Sequence, residues 1–242
     1  MTNAVVLVTG ANRGLGTALV EVAIAAGARR VYAGARDLEK LAPLVALAPG
    51  KIVPLAIDIT DQRSLDAAAR HVTELDMLFN NAGVLASYNI LASTNEQIGQ
   101  DMATNFYGTL AATKTFLPML ERAGASGQAA LVNILSVVSL ASMPALGGYS
   151  AAKAAAYSTT QALRGELANK RIAVHAVFPG PIDTDMVRTF DMPKTSAGDV
   201  ARAIIDGVAQ GLDEILPDPT SRAMFAAWKR DPKELERQLA SM

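Results

Sequence analysis

The chain has 242 residues, half of them apolar, with 22 basic and 23 acidic side chains for a net charge of -1. That is enough material for one well-filled core, and no change of composition marks a second, so a single domain spanning 1–242 is expected. Balanced charge argues against nucleic acid or an anionic membrane as a partner and favours a small, weakly charged molecule, while the absence of cysteine excludes disulfides, thiolate metal sites and cysteine nucleophiles.

Short apolar runs rich in β-branched residues, each bounded by Gly, Pro, Asp or Asn, predict strands at Val5 to Thr9, Arg30 to Ala35, Ile52 to Ile57, Met77 to Asn80, Ala130 to Leu135, Ala173 to Phe178 and Glu214 to Leu216. Apolar residues at helical spacing fall between them, at Leu15 to Ala26, Leu38 to Leu47, Ser64 to Val72, Glu96 to Leu120, Tyr149 to Leu167 and Val200 to Gly211. Ser93-Thr94-Asn95-Glu96 reads as a capping-box start for the long fourth helix, and Asp231-Pro232 as the start of a final one. The order is strand then helix throughout. Continuous rather than alternating hydrophobicity in the strands implies cover on both faces, so an α/β fold is expected: a doubly wound, mostly parallel seven-stranded sheet with helices on each side.

The amino-terminal run is too short in apolar residues for a secretory leader and lacks its basic flank, and no stretch offers about 18 uninterrupted apolar residues, so a soluble cytoplasmic protein is expected. The two histidines, His71 and His175, lie far apart and read as a helix-surface residue and a strand residue. Neither a zinc site nor a Ser/His/Asp triad has obvious parts.

In a parallel sheet the residues that follow successive strands gather along one rim, where open α/β folds bind ligands. The unusual residues of this chain all follow strands. After the first comes Thr9-Gly10-Ala11-Asn12-Arg13-Gly14-Leu15-Gly16, whose glycines permit a tight turn and close approach of a diphosphate to the helix start. After the second comes Arg36, after the third Asp58-Ile59, after the fourth Asn81-Ala82-Gly83, after the fifth Ser136, and after the sixth Pro179-Gly180-Pro181-Ile182-Asp183-Thr184. A dinucleotide ribose 2′-hydroxyl is usually held by an acid about 20 residues beyond the glycines. Here the strand ends on Arg36, which with Arg13 could grip a 2′-phosphate, so NADP(H) is favoured. The alternative is two solvated arginines with Asp37 as the ribose acid.

Ser136, Tyr149 and Lys153 can present a hydroxyl, a phenol and an ammonium to one reacting carbonyl. Positions four apart share a helix face, and a serine can stand at the tip of the preceding strand. Singly, each has a structural reading: a surface pair, a cap, an ordinary helix polar residue for Asn105. Their joint occurrence in order points to hydride transfer.

Together these residues resemble the short-chain dehydrogenase/reductase family in its single-domain, Rossmann-type form, from Val5 to about Pro217. The carriers are Thr9-Gly-x-x-x-Gly-x-Gly16, Asn80-Asn-Ala-Gly83, Tyr149-x-x-x-Lys153, Pro179-Gly180 with Thr184, and Asn105 in Met102-Ala-Thr-Asn-Phe-Tyr-Gly108. Alanine stands at 152, where serine is common. The resemblance implies that Tyr149 donates a proton to the carbonyl oxygen while Ser136 hydrogen-bonds it. Lys153 would lower the phenol pKa and hold the nicotinamide ribose, and Asn105 would support a water-linked proton path. It further implies that Asp58 meets the adenine, Asn81 to Gly83 the adenosine-side ribose region, and Ile182 with Thr184 the carboxamide.

Substrate choice is expected to fall to Leu85, Tyr88, Val138, Leu140, Met143, Leu146, Met186 and Phe190, which would form an apolar pocket for a hydrophobic ketone or secondary alcohol. The alternative is that several of these residues simply pack the core. Two other readings stand: a 3-oxoacyl-thioester reductase, for which no basic landing patch is evident, and a non-catalytic NADP(H)-binding sensor or scaffold. The family commonly forms homodimers or homotetramers. Alanines 151, 154, 155 and 162 would suit such packing or burial against the chain's own sheet, and the segment from Ser221 to Met242 has no assigned role.

Overall fold

Val5–Thr9 (β1) and Arg30–Ala35 (β2) are made of branched and small apolar residues without alternation, and nearly all are buried in the computed structural model, which describes residues 1–127 and 129–241. With Ile52–Ala56 (β3), Met77–Asn80 (β4), Ala129–Ile134 (β5) and Ile172–Val177 (β6) they form most of one sheet. Two short strands, Ile182–Asp183 (β7) and Thr195–Ser196 (β8), pair only with each other, and Glu214–Ile215 (β9) completes the main sheet. Its order is β3-β2-β1-β4-β5-β6-β9, and every neighbouring pair is parallel.

The helices are Gly14–Ala25 (α1), Ala42–Leu47 (α2), Gln62–Ala69 (α3), Asn95–Met102 (α4), Thr109–Ser126 (α5), Gly147–Leu167 (α6), Ala197–Ala209 (α7), Pro219–Arg230 (α8) and Pro232–Ala240 (α9). Strand side chains alternate between faces. Val6 and Val8 pack with Leu19 and Val20 of α1 and Ile204 of α7, whereas Val5 and Leu7 pack with Leu65 of α3, Phe116 and Leu120 of α5 and Leu167 of α6. A third cluster lies beyond the strand ends. It joins Leu135, Val137, Val138 and Met143 to Phe178 and to Ala227, Leu235 and Leu239 of the last two helices. Tyr157, Phe178, Phe225 and Trp228 run through it as successive aromatic contacts with centroids 4.9, 5.8 and 5.6 Å apart.

The strands lie where hydrophobicity puts them, with β5 and β6 beginning one residue earlier than expected. The helix expected from Glu96 to Leu120 is interrupted: between α4 and α5 the chain makes a π-helical turn over Ala103–Gly108, with Asn105 inside it. Periodicity does not reveal that turn, because one extra residue is absorbed without breaking the helical path. The capping box falls one residue later than expected. Thr94 Oγ1 accepts from Gln97 N at 3.2 Å and Gln97 Oε1 accepts from Thr94 N at 2.9 Å, whereas Ser93 Oγ accepts from Tyr88 N. Helix α8 was not expected, although Asp218-Pro219 carries the same cap-then-proline signal as Asp231-Pro232.

Leu239 is completely buried in the third cluster. Leu239→Ala is therefore expected to lower stability by about 2–5 kcal/mol, read as a reduced denaturation midpoint; an unchanged midpoint would mean that α9 does not pack here.

Candidate active site

Strand order reverses between β1 and β4, since the chain leaves β1 toward β2 on one side and returns to β4 on the other. Such a switch point opens a crevice at the strand ends. The glycine turn lies at its floor. Gly10 and Gly14 have φ of +66° and +54°, a region that favours glycine, and a β-carbon at Gly16 would overlap the Gly10 carbonyl oxygen. A β-carbon at Gly14 would lie 2.9 Å from Thr184 Cγ2, which sets the segment after β6 directly over the turn. Asn12 is half-buried there, while Leu15 sends its side chain into the core and leaves its backbone at the helix start.

Thr9 and Asn81 lock the two strand ends together. Thr9 Oγ1 accepts from the amides of Asn81 and Ala82, both at 3.0 Å, and Asn81 Nδ2 donates to the carbonyls of Thr9 and Gly10 at 2.9 and 3.2 Å. The Asn81 side chain is thus engaged in holding the crevice open. Ala82 touches Gly10, and a β-carbon at Gly83 would lie 2.8 Å from Asn105 Oδ1 and 3.7 Å from the Lys153 amine.

Arg13 precedes α1 and Arg36 follows β2, both exposed on the same rim. Neither has a carboxylate within 4.0 Å among the described residues, whereas Asp37 is engaged with Lys40 and the Glu39 amide. Asp58 folds back on Thr60, accepting from its amide and hydroxyl at 2.9 and 2.7 Å. Burial pushes the Asp58 carboxyl up, but the Thr60 bonds and the Arg36 charge outweigh it and hold the group below its usual value. Ile59 is buried and packs against Gly108 of the π-turn.

Ser136 follows β5 in an extended conformation and caps the short 3₁₀ turn Val137–Ser139, with Oγ accepting from Val138 N at 3.4 Å. The capping role and a role toward the crevice coexist, because the same hydroxyl also acts to lower the Tyr149 phenol. Tyr149 and Lys153 face each other from successive turns of α6, the amine 5.7 Å from the ring centroid. Lys153 is almost fully buried and donates to the Ile134 carbonyl at 2.8 Å. Asn105 Nδ2 donates to the carbonyls of Val84 and Asp101, and its Oδ1 accepts from Val84 N.

The electrostatics differ from the expected lowering of the phenol by an adjacent ammonium. Burial, and then the charge of Asp101, push the Tyr149 phenol well above its ordinary value against the Ser136 hydrogen bond. Burial pushes the Lys153 amine down to about 8, with Asp101 opposing that shift. Desolvation disfavours each charged form and outweighs any attraction between the two groups.

Sequence reading missed two residues. Asp101, four residues before Asn105, is completely buried and accepts from the Ala86 and Ser87 amides at 2.9 and 3.0 Å and from the Ser87 hydroxyl. It directly precedes the Met102–Gly108 segment but carries no motif position of its own, which concealed it. Asp218 is also buried: it caps α8 and accepts from Gly180 N at 2.8 Å, bracing the Pro179–Thr184 segment, whose Pro179 carbonyl accepts from Val137 N at 3.1 Å. Thr184 Oγ1 donates to the Ile182 carbonyl, and the Ile182 side chain packs against the α1–α7 cluster. Of the expected pocket residues, Val138 and Met143 belong to the third core cluster, with Leu140 and Leu146 packed against it. Tyr88 and Met186 are exposed. Alanines 151, 154 and 162 also face outward and do not bury against the sheet.

Among the described residues no helix is long and apolar enough to cross a membrane. A family model described as short chain dehydrogenase matches residues 4–194. A short chain dehydrogenase of Monascus ruber is 34% identical over 195 residues, covering 75% of this chain and 63% of that protein. A second relative, from Aspergillus terreus, is 32% identical with 42% of its length covered, so the chain spans less than two thirds of both. An oxidoreductase of Staphylococcus aureus is 31% identical, with 87% of this chain and 93% of that protein covered. Among solved structures, a short chain dehydrogenase from Burkholderia cenocepacia in complex with NADP superposes with a TM-score of 0.91 at 34% identity, covering 98% of each chain. A 3-ketoacyl-(acyl-carrier-protein) reductase from Brucella melitensis complexed with NADH gives 0.79 at 26%, covering 91% of this chain and 93% of that one. With its parallel sheet, its glycine turn at the switch point and these relatives, the chain belongs to the short-chain dehydrogenase family of oxidoreductases.

Proposed function

We propose that the chain interconverts a ketone or aldehyde and an alcohol with NADP(H), acting on a hydrophobic small molecule. The observation that carries this reading is the convergence of Ser136, Tyr149 and Lys153 beside the crevice floored by Gly10, Gly14 and Gly16. A dinucleotide fits that crevice: the glycines leave the backbone unshielded at the start of α1, where free amides favour a diphosphate. Arg13 and Arg36 stand on the rim with no carboxylate bridging them among the described residues, which suits a 2′-phosphate. When bound, the dinucleotide supplies or accepts the hydride.

The chain's own residues manage the proton. Tyr149, held neutral by burial, donates its phenolic proton to the carbonyl oxygen, and the Ser136 hydroxyl orients that oxygen. Lys153, anchored by the Ile134 carbonyl, holds the ribose side and can resupply the proton. Asn105, fixed inside the π-turn by Val84, leaves that route open behind the lysine. Asp58, Ile59, Asn81, Ala82 and Gly83 would border the adenosine half, and Pro179, Gly180, Ile182 and Thr184 the nicotinamide half. Exposed Tyr88, Ile90, Leu91 and Met186 give the mouth an apolar rim, which supports a hydrophobic substrate. The outward alanines of α6 favour a homo-oligomer, and the cytoplasm is the compartment proposed. A 3-oxoacyl thioester is the runner-up substrate, favoured by the likeness to the Brucella reductase.

A panel of simple ketones, aldehydes and a 3-oxoacyl thioester, read by NADPH consumption, tests the reading, and turnover of the thioester alone would select the runner-up. Tyr149→Phe is expected to lower reduction by about 10²–10⁴-fold while NADPH still binds; retained turnover would remove Tyr149 as the donor. Arg36→Glu should raise KM for NADPH by roughly tenfold to a hundredfold and leave NADH little changed. Equal effects on both cofactors would defeat the phosphate clamp.

A further inference from the structure

Gly180 follows β6 in the segment that reaches over the glycine turn, and its surroundings belong to the carboxy-terminal hairpin of α8 and α9. A β-carbon there would lie 2.8 Å from Asp218 Oδ1 and 2.9 Å from Thr220 Cβ, so the bare side of Gly180 is turned to the start of α8. Its amide is used in the same direction, donating to Asp218 Oδ2 at 2.8 Å. Gly180 therefore keeps neither a side chain nor a donor for a ligand, and glycine stands here because the hairpin approaches so closely. Asp218 is buried and divides its carboxylate: Oδ1 accepts from Ser221 N at 2.8 Å as the cap of α8, and Oδ2 takes Gly180. Capping needs one acceptor oxygen, which serine or asparagine also supplies. The second oxygen reaches back 38 residues, a bond that capping does not require.

The segment held in this way has two further anchors. The Pro179 carbonyl accepts from Val137 N at 3.1 Å, next to Ser136, and Thr184 Cγ2 lies 2.9 Å from where Gly14 of the glycine turn would carry a β-carbon. Asp218 fixes the segment between them. We propose that Asp218 is a positioning residue for the cofactor: through Gly180 it seats the Pro179–Thr184 segment against the nicotinamide half, which makes the carboxy-terminal hairpin a working part of the site. The proposal rests on the reading above that this segment borders the nicotinamide. The adenosine half, by the same reading, lies on other elements, at Arg36 after β2 and Asp58 after β3. Loss of the Gly180 bond therefore acts on one half of the dinucleotide and spares the other.

Trp228, the one tryptophan of the chain, lies in α8 with its ring centroid 5.6 Å from that of Phe225, so its emission reports whether the hairpin stays docked. The experiment compares binding of NADPH with binding of adenosine 2′,5′-bisphosphate, which lacks the nicotinamide half, in the wild type and in Asp218→Ser. NADH and ADP take their places if the wild type prefers NADH. Serine keeps the cap and gives up the bond to Gly180. NADPH is expected to bind about three- to tenfold more weakly, with bisphosphate affinity and Trp228 emission unchanged. Asp231→Ala removes the cap of α9, where Oδ1 accepts from Lys233 N at 2.9 Å, and loosens the same hairpin without touching Gly180; it should leave both affinities in place. Unchanged NADPH affinity in Asp218→Ser, an equal loss of both ligands, or the same NADPH loss in Asp231→Ala would make Asp218 a structural cap and overturn the proposal. Should Asp218→Ser shift the Trp228 emission, Asp218→Asn, which also caps but turns an amide toward the Gly180 N–H, carries the same comparison; a shift in both overturns the proposal. A wild type that binds no dinucleotide overturns the reading of the crevice, and the proposal with it. If a dinucleotide binds but no carbonyl is turned over, the catalytic reading fails, and the two affinities still decide the role of Asp218.

Discussion

A parallel sheet covered on both faces leaves its strand ends as the place where polar chemistry can stand without breaking the core. Because every strand of the main sheet points the same way, the turns after β1, β2, β3, β4, β5 and β6 all emerge on one rim. The reversal of order between β1 and β4 splits that rim into a crevice. The hydrogen bonds between Thr9 and Asn81 hold the crevice open at its deepest point. The glycine turn, the arginines, Ser136 and the Pro179–Thr184 segment come together only because this geometry gathers the strand ends on that rim.

Within the crevice, burial governs the charges. Lys153 and Asp101 are both nearly sealed from water, yet they are not a salt bridge: each is satisfied by the backbone, Lys153 by Ile134 and Asp101 by Ala86 and Ser87. The π-turn contributes by turning Asn105 toward Val84 and Gly83, where an unbroken α-helix would carry it around the helix axis.

The carboxy-terminal hairpin braces the site from outside. Asp218 caps α8 and fixes Gly180 with the same carboxylate, so the fold of the last segment and the placement of the turn after β6 are one event. Leu235 and Leu239 then close over Val138 and Met143, within the loop that separates Ser136 from Tyr149. Residues that read as pocket lining thereby become core, and the exposed apolar residues at the mouth shift to the loop after β4.

By itself the sequence determined the alternation of strands and helices, the parallel sheet, and the residues that gather at its rim, because hydrophobic period, glycine turns and strand-end positions are local properties. The Ser136, Tyr149 and Lys153 arrangement was legible for the same reason: four residues on a helix is a fixed distance. Only the tertiary structure decided that Asn105 lies in a π-turn, that Asp101 is buried and holds the loop after β4, that Asp218 reaches Gly180 across 38 residues, and that burial rather than lysine dominates the Tyr149 phenol. Each of these depends on how far a side chain is withdrawn from water and on what distant segment satisfies it, quantities that no local pattern of residues encodes.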